Sequence, residues 1–500
     1  MSFTSEEIHS LRQALQSALP PIDVAGETLQ APAMTYVPPA HAQALDPERC
    51  VVEGIRGSGK SFWWAALSSA PHRAYLAKAF PEVPLRPDSA DILQGFGTSS
   101  STDQAPSEAV LADLQARFGD ARLIWRAVVA HQLKFPKPFP QRPPVGKQWL
   151  QRVTWVQAHP EAFDVLLQQA DQHLTQQGRT VLILFDALDR LAPTWPDIRP
   201  LARGLFQVAL ALRSTRSIRL KLFVRPDMLA DEAIMGFPDA SKLLARKASL
   251  LWRKVDLYAL LFQCLGNADG PGAAAFRRLD SGQRPGTSAR PRRTSTPWPL
   301  PADWRGNESV QEQLFTQLAG SAMSATSLKR GKPYTWLVNH LQDGADQVSP
   351  RSFCEALRVA AQITEHAHAD HPLALHFKAL QTGVQEASRI RVEEIKREDY
   401  PWIHGLIHPL KKLLVPCEPD EILACWNETR TLETLRQQLE RSDASVKLPP
   451  QHLDEGPQGV LHDLEAIGLF ERLNDGRLQM PDVYRIAFGL GRRGGVKPLR

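Results

Sequence analysis

Cys50-Val51-Val52-Glu53-Gly54-Ile55-Arg56-Gly57-Ser58-Gly59-Lys60-Ser61-Phe62-Trp63-Trp64-Ala65-Ala66-Leu67 reads as a short apolar strand, a glycine loop and a helix in direct succession. Gly54 to Ser61 matches G-x-x-x-x-G-K-[ST] in full. Each residue type has a chemical reason. Gly54, Gly57 and Gly59 let backbone N–H groups of the loop, Arg56 and Ser58 included, turn around phosphate oxygens without a Cβ in the way. The helix starting near Lys60 points its positive end at the anion. Lys60 supplies a mobile cation for the β- and γ-phosphates, and the Ser61 hydroxyl is placed to ligate Mg²⁺. A chance match to this pattern arises in roughly one in a hundred chains of this length. The flanking strand and helix make it rarer still. The expected ligands are ATP and Mg²⁺.

Two further strands extend the reading. Val181-Leu182-Ile183-Leu184-Phe185-Asp186 is an apolar run ending in a carboxylate, so Asp186 is the expected holder of Mg²⁺. Leu220-Lys221-Leu222-Phe223-Val224-Arg225 puts a cation at a strand tip, where Arg225 can sense the γ-phosphate. The bland alternative for Arg225 is a surface ion pair with Asp227. Helical periodicity over 109–134, 161–176 and 198–213 alternates with these strands, which is the mark of a parallel α/β sheet. The 126 residues from Lys60 to Asp186 imply an insertion near 81–150, and the Pro, Ser, Asp and Gly content of 81–108 reads as an irregular excursion.

Outside this core, 1–48 reads as an N-terminal helix over 4–18 and a Pro-rich lead-in. The core spans 49–266. Residues 267–306 read as a solvated linker, with Arg277, Arg278, Arg284, Arg290, Arg292 and Arg293 against Asp280 alone over 270–299. A helical lid follows over 307–400. Residues 401–500 form a smaller unit. Within it a helix around 460–467 ends at Gly468, and Asn474-Asp475-Gly476 is the turn of a hairpin. With a helix at 429–440 this resembles a winged helix, a module that binds DNA or serves as a rigid docking unit. Arg485, Arg492, Arg493, Lys497 and Arg500 make a basic tail suited to phosphate contacts. Trp298, Trp304 and Trp402 read as packing residues.

The blocks Phe185 to Leu191 (FDALDRL) and Phe223 to Met228 (FVRPDM) resemble those of STAND ATPases, allies of the AAA+ proteins. Val348 to Ala361 (VSPRSFCEALRVAA) resembles the lid-helix motif of KAP-type and origin-recognition-type relatives. The resemblance covers about 49–265 and 310–365. It implies an ATPase switch in which Arg351 contacts nucleotide, and it carries an association with bacterial defence. The chain departs from the pattern where AAA+ proteins place a glutamate, which here is Ala187, and the STAND glutamate position holds Arg190. Asp189 is the nearest candidate base, and Glu53 is another. Hydrolysis is therefore expected to be slow.

Composition fits these expectations without adding to them. The 500 residues exceed what one core holds, and net charge is only +5. Cys50, Cys264, Cys354, Cys417 and Cys425 form no C-x-x-C pair, so neither a disulfide framework nor a zinc site is expected. With no apolar leader and no 18-residue apolar run, the reading is a cytoplasmic protein with no membrane partner. The expected fold is α/β: a P-loop parallel sheet, a helical lid and a small winged-helix-like domain. Three functions follow: an ATP-driven switch that self-assembles or controls a protein partner, a DNA-binding loader or regulator, and a nucleotide-binding scaffold that never hydrolyses ATP. A small-molecule kinase is disfavoured by the long lid and the C-terminal unit.

Overall fold

A computed structural model describes residues 3–20, 29–83, 89–97, 101–133, 148–280, 297–327, 330–441, 448–492 and 498. The chain divides into two compact units, one of residues 25–29 and 37–251, the other of 1–24, 30–36 and 252–500.

The first unit is built on five strands: β1 (Val51–Glu53), β2 (Ala90–Phe96), β3 (Thr180–Phe185), β4 (Ile218–Val224) and β5 (Ala248–Ser249). They hydrogen-bond in the order β2-β3-β4-β1-β5 and every pairing is parallel. Parallel strands are covered on both faces, which is why β3 and β4 read as nearly continuous apolar runs. The strand carrying the glycine loop lies between β4 and β5, with β3 one strand further on. Its tip therefore lies close to the carboxyl ends of β3 and β4, where ligands bind in open α/β sheets.

One expectation needs correcting. Residues 81–108 are not wholly irregular, because β2 lies within them and pairs with β3 from Ala90↔Thr180 to Phe96↔Phe185. It escapes sequence patterning because it is an edge strand with only one neighbour, so four of its seven residues stay half-buried. Gly95 also breaks the run for a packing reason. A Cβ there would come within 2.4 Å of the Phe185 ring. After β2 the described residues form the helices Glu108–Phe118, Ala121–Gln132, Trp149–Ala158 and Pro160–Gln176 before β3. The periodic stretch 109–134 is thus two helices, separated by Gly119 at φ +65° and the N-cap Asp120. The Pro-rich break at 135–144 lies outside the described residues.

Lys221 is fully buried on β4 and donates to the carbonyls of Ala44, Asp46 and Arg49 at 2.7–2.8 Å. One ammonium thus ties the lead-in to the sheet just before β1. Deeper along the lead-in, buried His41 accepts from the indole of Trp63 on the P-loop helix at 3.0 Å. Burial pushes the His41 imidazole down to about 3, so it stays neutral.

The second unit is helical. Ser5–Ala18 starts at a capping box between Thr4 and Glu7, as its periodicity suggests. Arg12 on that helix is 2% exposed and grips Glu365 and the carbonyls of Ala369, His371 and Leu373. The stretch read as a linker, 267–306, is structured at both ends. Pro271–Arg277 is a helix that packs on Ser5–Ala18, so closely that a Cβ on Gly272 would meet the Ser10 carbonyl at 2.4 Å. Ala302–Gly306 is a second helix with Trp304 buried, and Trp298 lies against Gly266. Local Gly and Pro content misleads here because glycine is used for close helix packing. The central part, 281–296, lies outside the described residues.

The helices Pro350–Ala367 and Phe377–Glu394 pack along one another. The C-terminal region has the order expected of a winged helix. The helices Pro419–Glu428, Thr431–Arg441 and Gly456–Ala466 come first. A hairpin then pairs Glu471↔Gln479 and Arg472↔Leu478. Cys417, which precedes the helices, makes an isolated antiparallel bridge with Leu478 of the hairpin. Gly468 at φ +74° and Gly476 at φ +89° take the left-handed conformations that the C-cap and the turn require.

Candidate functional site

The loop after β1 is shaped by its glycines. Gly57 and Gly59 stand at φ +77° and +106°, and Gly59 is the N-cap of the helix Lys60–Ser68. A Cβ on Gly54 would fall 2.2 Å from the Ser58 hydroxyl, so a side chain there would displace that hydroxyl. The Gly54 N–H donates to the Val224 carbonyl at 3.0 Å, which anchors the loop to the tip of β4. Arg56 is half-buried and Ser58 is 1% exposed.

Lys60 folds back over this loop, and its Nζ donates to the carbonyls of Gly54 at 2.7 Å and Ile55 at 2.9 Å. Burial first and then the nearby Arg225 cation hold the ammonium down to about 8, against the pull of Asp186, Asp189 and Asp227. Two cations within electrostatic reach of one another beside a glycine loop mark a place suited to an anion.

Asp186 stands at the end of β3, 2% exposed, with its N–H bonded to the Phe96 carbonyl of β2 at 2.9 Å. The edge strand that sequence patterning missed therefore positions the residue that it found. The Asp186 carboxylate accepts from the Ser61 hydroxyl and from the Ala187 N–H. Its Oδ2 is buried with no hydrogen-bond partner among the described residues. Burial raises its pKa, with the Ser61 hydroxyl and Lys60 opposing. A buried carboxylate oxygen without a donor, next to a hydroxyl and at the mouth of a phosphate loop, fits a hard divalent cation such as Mg²⁺.

Past Asp186 the chain makes an unusual turn. Ala187 lies at φ +55°, ψ +39°, a left-handed conformation that a residue with a Cβ rarely takes. The turn aims Asp189 back toward the tip of β4, where its Oδ2 lies 3.9 Å from Arg225 Nη1. Arg190 is exposed. Arg225 also pairs with Asp227, at 2.6 Å from Nη2 and 3.3 Å from Nε. The ion pair foreseen as the bland alternative is therefore present, but it is not on the surface. The two side chains are only 12% and 13% exposed. Glu53 faces the other way. Its Oε2 is 2.7 Å from Lys247 Nζ and 3.1 Å from the Ser249 hydroxyl of β5.

The structure thus brings together Gly54, Arg56, Gly57, Ser58, Gly59, Lys60, Ser61, Asp186, Asp189 and Arg225. Arg351 belongs to the second unit. It is the second residue of Pro350–Ala367, and its Nη1 lies 2.8 Å from Glu394 Oε1. Sequence reasoning named Asp227 only as a surface partner of Arg225, and burial of the pair was not legible from the run Arg-Pro-Asp.

The winged-helix region offers a weak electrostatic footprint. Residues 401–500 carry thirteen Lys and Arg against fourteen Asp and Glu. The helix Gly456–Ala466, which precedes the hairpin, has no Lys or Arg, and its exposed residues are Gln458, His462 and Ala466. On the hairpin, Arg472 pairs with Glu465 at 2.5 Å and Arg477 with Asp475 at 2.7 Å. Arg485, counted above in the basic tail, is corrected here. It is 0% exposed, 2.6 Å from Asp482, and donates to the Leu490 carbonyl. A run of arginines in sequence says nothing about which of them point inward. Arg492 is 3.3 Å from Asp482, whereas Arg493, Lys497 and Arg500 lie outside the described residues.

Among the described residues no helix is long and apolar enough to cross a membrane. No protein-family profile matches the chain, and no curated protein sequence does. It is similar to solved structures of origin-recognition type. The ORC2 protein of Aeropyrum pernix in ADPNP–ADP complexes is 14% identical, covering 90% of this chain and 93% of that one, with a TM-score of 0.37. The ORC1 protein of the same organism in complex with DNA is 13% identical, covering 96% and 90%, with a TM-score of 0.31. The Walker-type ATPase PABY2304 of Pyrococcus abyssi is 11% identical, covering 89% and 93%, with a TM-score of 0.33. At such identities and TM-scores, no residue role in this chain follows from them.

Proposed function

We propose that the chain binds ATP with Mg²⁺ at the loop Gly54–Ser61 and hydrolyses it slowly. The observation that carries this reading is the convergence of Lys60, the Ser61 hydroxyl and the donorless Asp186 oxygen beside a glycine cradle. The loop N–H groups and the helix end hold the phosphates, and Lys60 leaves its two carbonyls for them. Ser61 and Asp186 hold Mg²⁺, which neutralises charge on the β- and γ-phosphates when bound. Asp189 takes the proton from the attacking water as its oxygen bonds to the γ-phosphorus and the bond to the ADP oxygen breaks. Arg225 meets the charge on the γ-phosphoryl oxygens. Asp189 is favoured over Glu53 because it faces Arg225, whereas Glu53 is paired with Lys247. Hydrolysis is slow because Ala187 occupies the place of the usual glutamate.

The division of labour follows from the same reading: 49–266 binds nucleotide, 307–400 closes as a lid and 401–500 is the output. We place this cycle in the cytoplasm and assign assembly or control of a protein partner as its result, in the manner of STAND-like switches. A role in bacterial defence rests on that resemblance alone. The DNA-loader reading is second, because the helix before the hairpin lacks cations and the hairpin arginines are paired.

The test is a matched pair. Asp186→Asn keeps ATP bound but loses Mg²⁺-dependent phosphate release, and Asp189→Ala lowers that release about a hundredfold at unchanged ATP affinity. Normal turnover in Asp189→Ala would remove Asp189 as the base and bring Glu53 forward.

A further inference from the structure

We infer that Gly95-Phe96-Gly97, at the end of the edge strand β2, is a positioning element that sets Asp186 against Ser61 as a pair of Mg²⁺ ligands. This deepens the proposed function and rests on its assignment of that pair. The ladder between β2 and β3 slips by one residue here. Gln94 faces Leu184, and unbroken register would set Gly95 opposite Phe185, but Phe96 stands there instead. A bulge of this kind bends a strand and re-aims its end. Phe96 is then the residue whose carbonyl takes the Asp186 N–H, at 2.9 Å.

The two glycines answer a demand for space, since neither has the left-handed backbone that favours glycine. A Cβ on Gly95 would meet the Phe185 ring at 2.4 Å and the Ile183 side chain at 2.8 Å. A Cβ on Gly97 would meet the Trp64 indole at 2.5 Å. Between them Phe96 is buried, and Trp125 stands edge-on to both Phe96 and Phe185, with ring centroids 6.2 and 5.8 Å away. Trp125 is itself fixed by its indole N–H on the Leu201 carbonyl at 2.7 Å. The strand end is thus packed on β3 through Gly95 and Phe96, and on the P-loop helix through Gly97.

Trp64 makes that second connection. It lies on the helix Lys60–Ser68, four residues after Lys60 and three after Ser61, and so shares a helix face with both. Its ring is buried, and its Nε1 has no hydrogen-bond partner among the described residues, so packing sets its place. A closed circuit results. Ser61 and Trp64 share one helix, Trp64 rests on Gly97, the Phe96 carbonyl holds the Asp186 N–H, and the Asp186 carboxylate returns to the Ser61 hydroxyl. Ligands of a hard cation must be held to within about 0.5 Å. The circuit fixes the two backbones that carry them, a support that the side-chain hydrogen bond from Ser61 to Asp186 does not give by itself.

The experiment is calorimetric titration of the full chain with a non-hydrolysable ATP analogue, once with Mg²⁺ and once with EDTA, alongside thermal unfolding. The quantity read is the gain in affinity that Mg²⁺ confers. Wild type shows that gain, and Asp186→Asn loses it. Gly97→Ala drives a methyl group into Trp64 and lowers the gain about tenfold, the scale for groups that support a metal ligand, while the Mg²⁺-free affinity stays within about twofold. Trp64→Leu removes the strut without adding bulk to β2. It lowers the gain as well, and it carries the test should Gly97→Ala fail to fold. The two changes combined recover the gain above either alone, because the added methyl takes room that the indole has left. A role in folding alone would lower the unfolding midpoint and weaken binding equally with and without Mg²⁺, and that result overturns the inference. So does a double variant whose loss is the sum of the two single losses. If Asp186→Asn loses the gain and Gly97→Ala keeps it, the inference falls and the Mg²⁺ pair stands. If wild type shows no gain, the assignment of Ser61 and Asp186 falls and the inference falls with it.

Discussion

The sheet tips and the C-terminal region both carry arginines and carboxylates close together, and they use them differently. At the sheet tips the pairing is mixed, since Arg225 closes on Asp227 at 2.6 Å. Lys60 rests on two carbonyls, Asp186 keeps a buried oxygen without a donor, and Arg225 lies between two carboxylates. On the hairpin and the helix after it the charges cancel locally, as Arg472 with Glu465, Arg477 with Asp475 and Arg485 with Asp482. A buried polar atom left unsatisfied destabilises a fold, so it persists where a ligand completes it. Closed ion pairs serve the fold itself. An orphaned oxygen alone does not separate the two regions, since Asp482 Oδ2 is also buried without a hydrogen-bond partner among the described residues. The glycine loop and Lys60 beside Asp186 are what make the first region the candidate binding site.

The comparison breaks most sharply at Lys60. Lys60→Ala removes the cation that faces the phosphates while the strand, loop and helix keep their backbone bonds. ATP affinity measured by calorimetry should fall about a thousandfold, on the order of 4 kcal/mol, with the circular-dichroism spectrum unchanged. Unchanged affinity would remove the site assignment altogether.

Arg485 tests the other side. Arg485→Met leaves the 2% exposed Asp482 carboxylate without its 2.6 Å partner. Breaking a buried pair from one side costs about 3–5 kcal/mol. Chemical denaturation should show that loss, and Asp482→Asn in the same chain should recover part of it. ATP affinity should not move. A variant that unfolds normally but binds DNA more weakly would return Arg485 to the basic tail and revive the loader reading.

Lys221 gives a smaller effect with a defined pH signature. Its ammonium is held down to about 8 by burial, against an ordinary value of 10.5. The folded pKa is the lower one, so between about pH 8 and 10.5 the unfolded chain binds a proton that the folded chain has lost. Stability from this group therefore rises with pH across that window, by up to roughly 3 kcal/mol. Lys60 is shifted in the same direction. The diagnostic quantity is thus the difference between wild type and Lys221→Met, measured by denaturation from pH 7 to 10. The gap should widen as pH rises, and a constant gap would refute the shift.

How far the sequence disclosed this molecule follows the same contrast. The loop and the Asp186 strand were legible because phosphate chemistry demands particular residues in a particular order. The helices over 307–400 and the hairpin were legible from period and turn residues, as at Asn474-Asp475-Gly476. What escaped was decided by partners distant in sequence. The edge strand β2 interrupts its apolar residues with Asp91, Gln94 and Gly95, and among the described residues only β3 pairs with it, yet its Phe96 carbonyl positions Asp186. Gly272 looked like linker and is instead a contact between helices. Arg485 looked like a surface cation because a one-dimensional pattern does not record burial. Ala187 gave no sign of its left-handed backbone, since nothing in alanine favours that conformation.

The smallest expected effect concerns how the two kinds of region communicate. Arg351 is paired with Glu394, the last residue of the helix Phe377–Glu394. Glu394 Oε2 is also 3.5 Å from Arg391, whose guanidinium lies over the Tyr484 ring at 6.0 Å. Tyr484 is buried in the C-terminal helix Asp482–Phe488, and the Ala487 N–H of that helix donates to the Ser388 hydroxyl at 3.2 Å. One carboxylate therefore links Arg351 to a side chain that touches the C-terminal region. If nucleotide draws Arg351 toward phosphate, Glu394 loses a partner and the contact with Tyr484 is reset. Such coupling exists only as a difference between two states, not as tight binding in one. Hydrogen exchange over 401–500, with and without ATP, in wild type and Arg351→Ala reads it directly. Wild type should show nucleotide-dependent protection of about fivefold, near 1 kcal/mol, and the variant should lose that dependence while still binding ATP. Identical exchange in all four samples would make the C-terminal region an independent module, and its paired charges would then be all that it contributes.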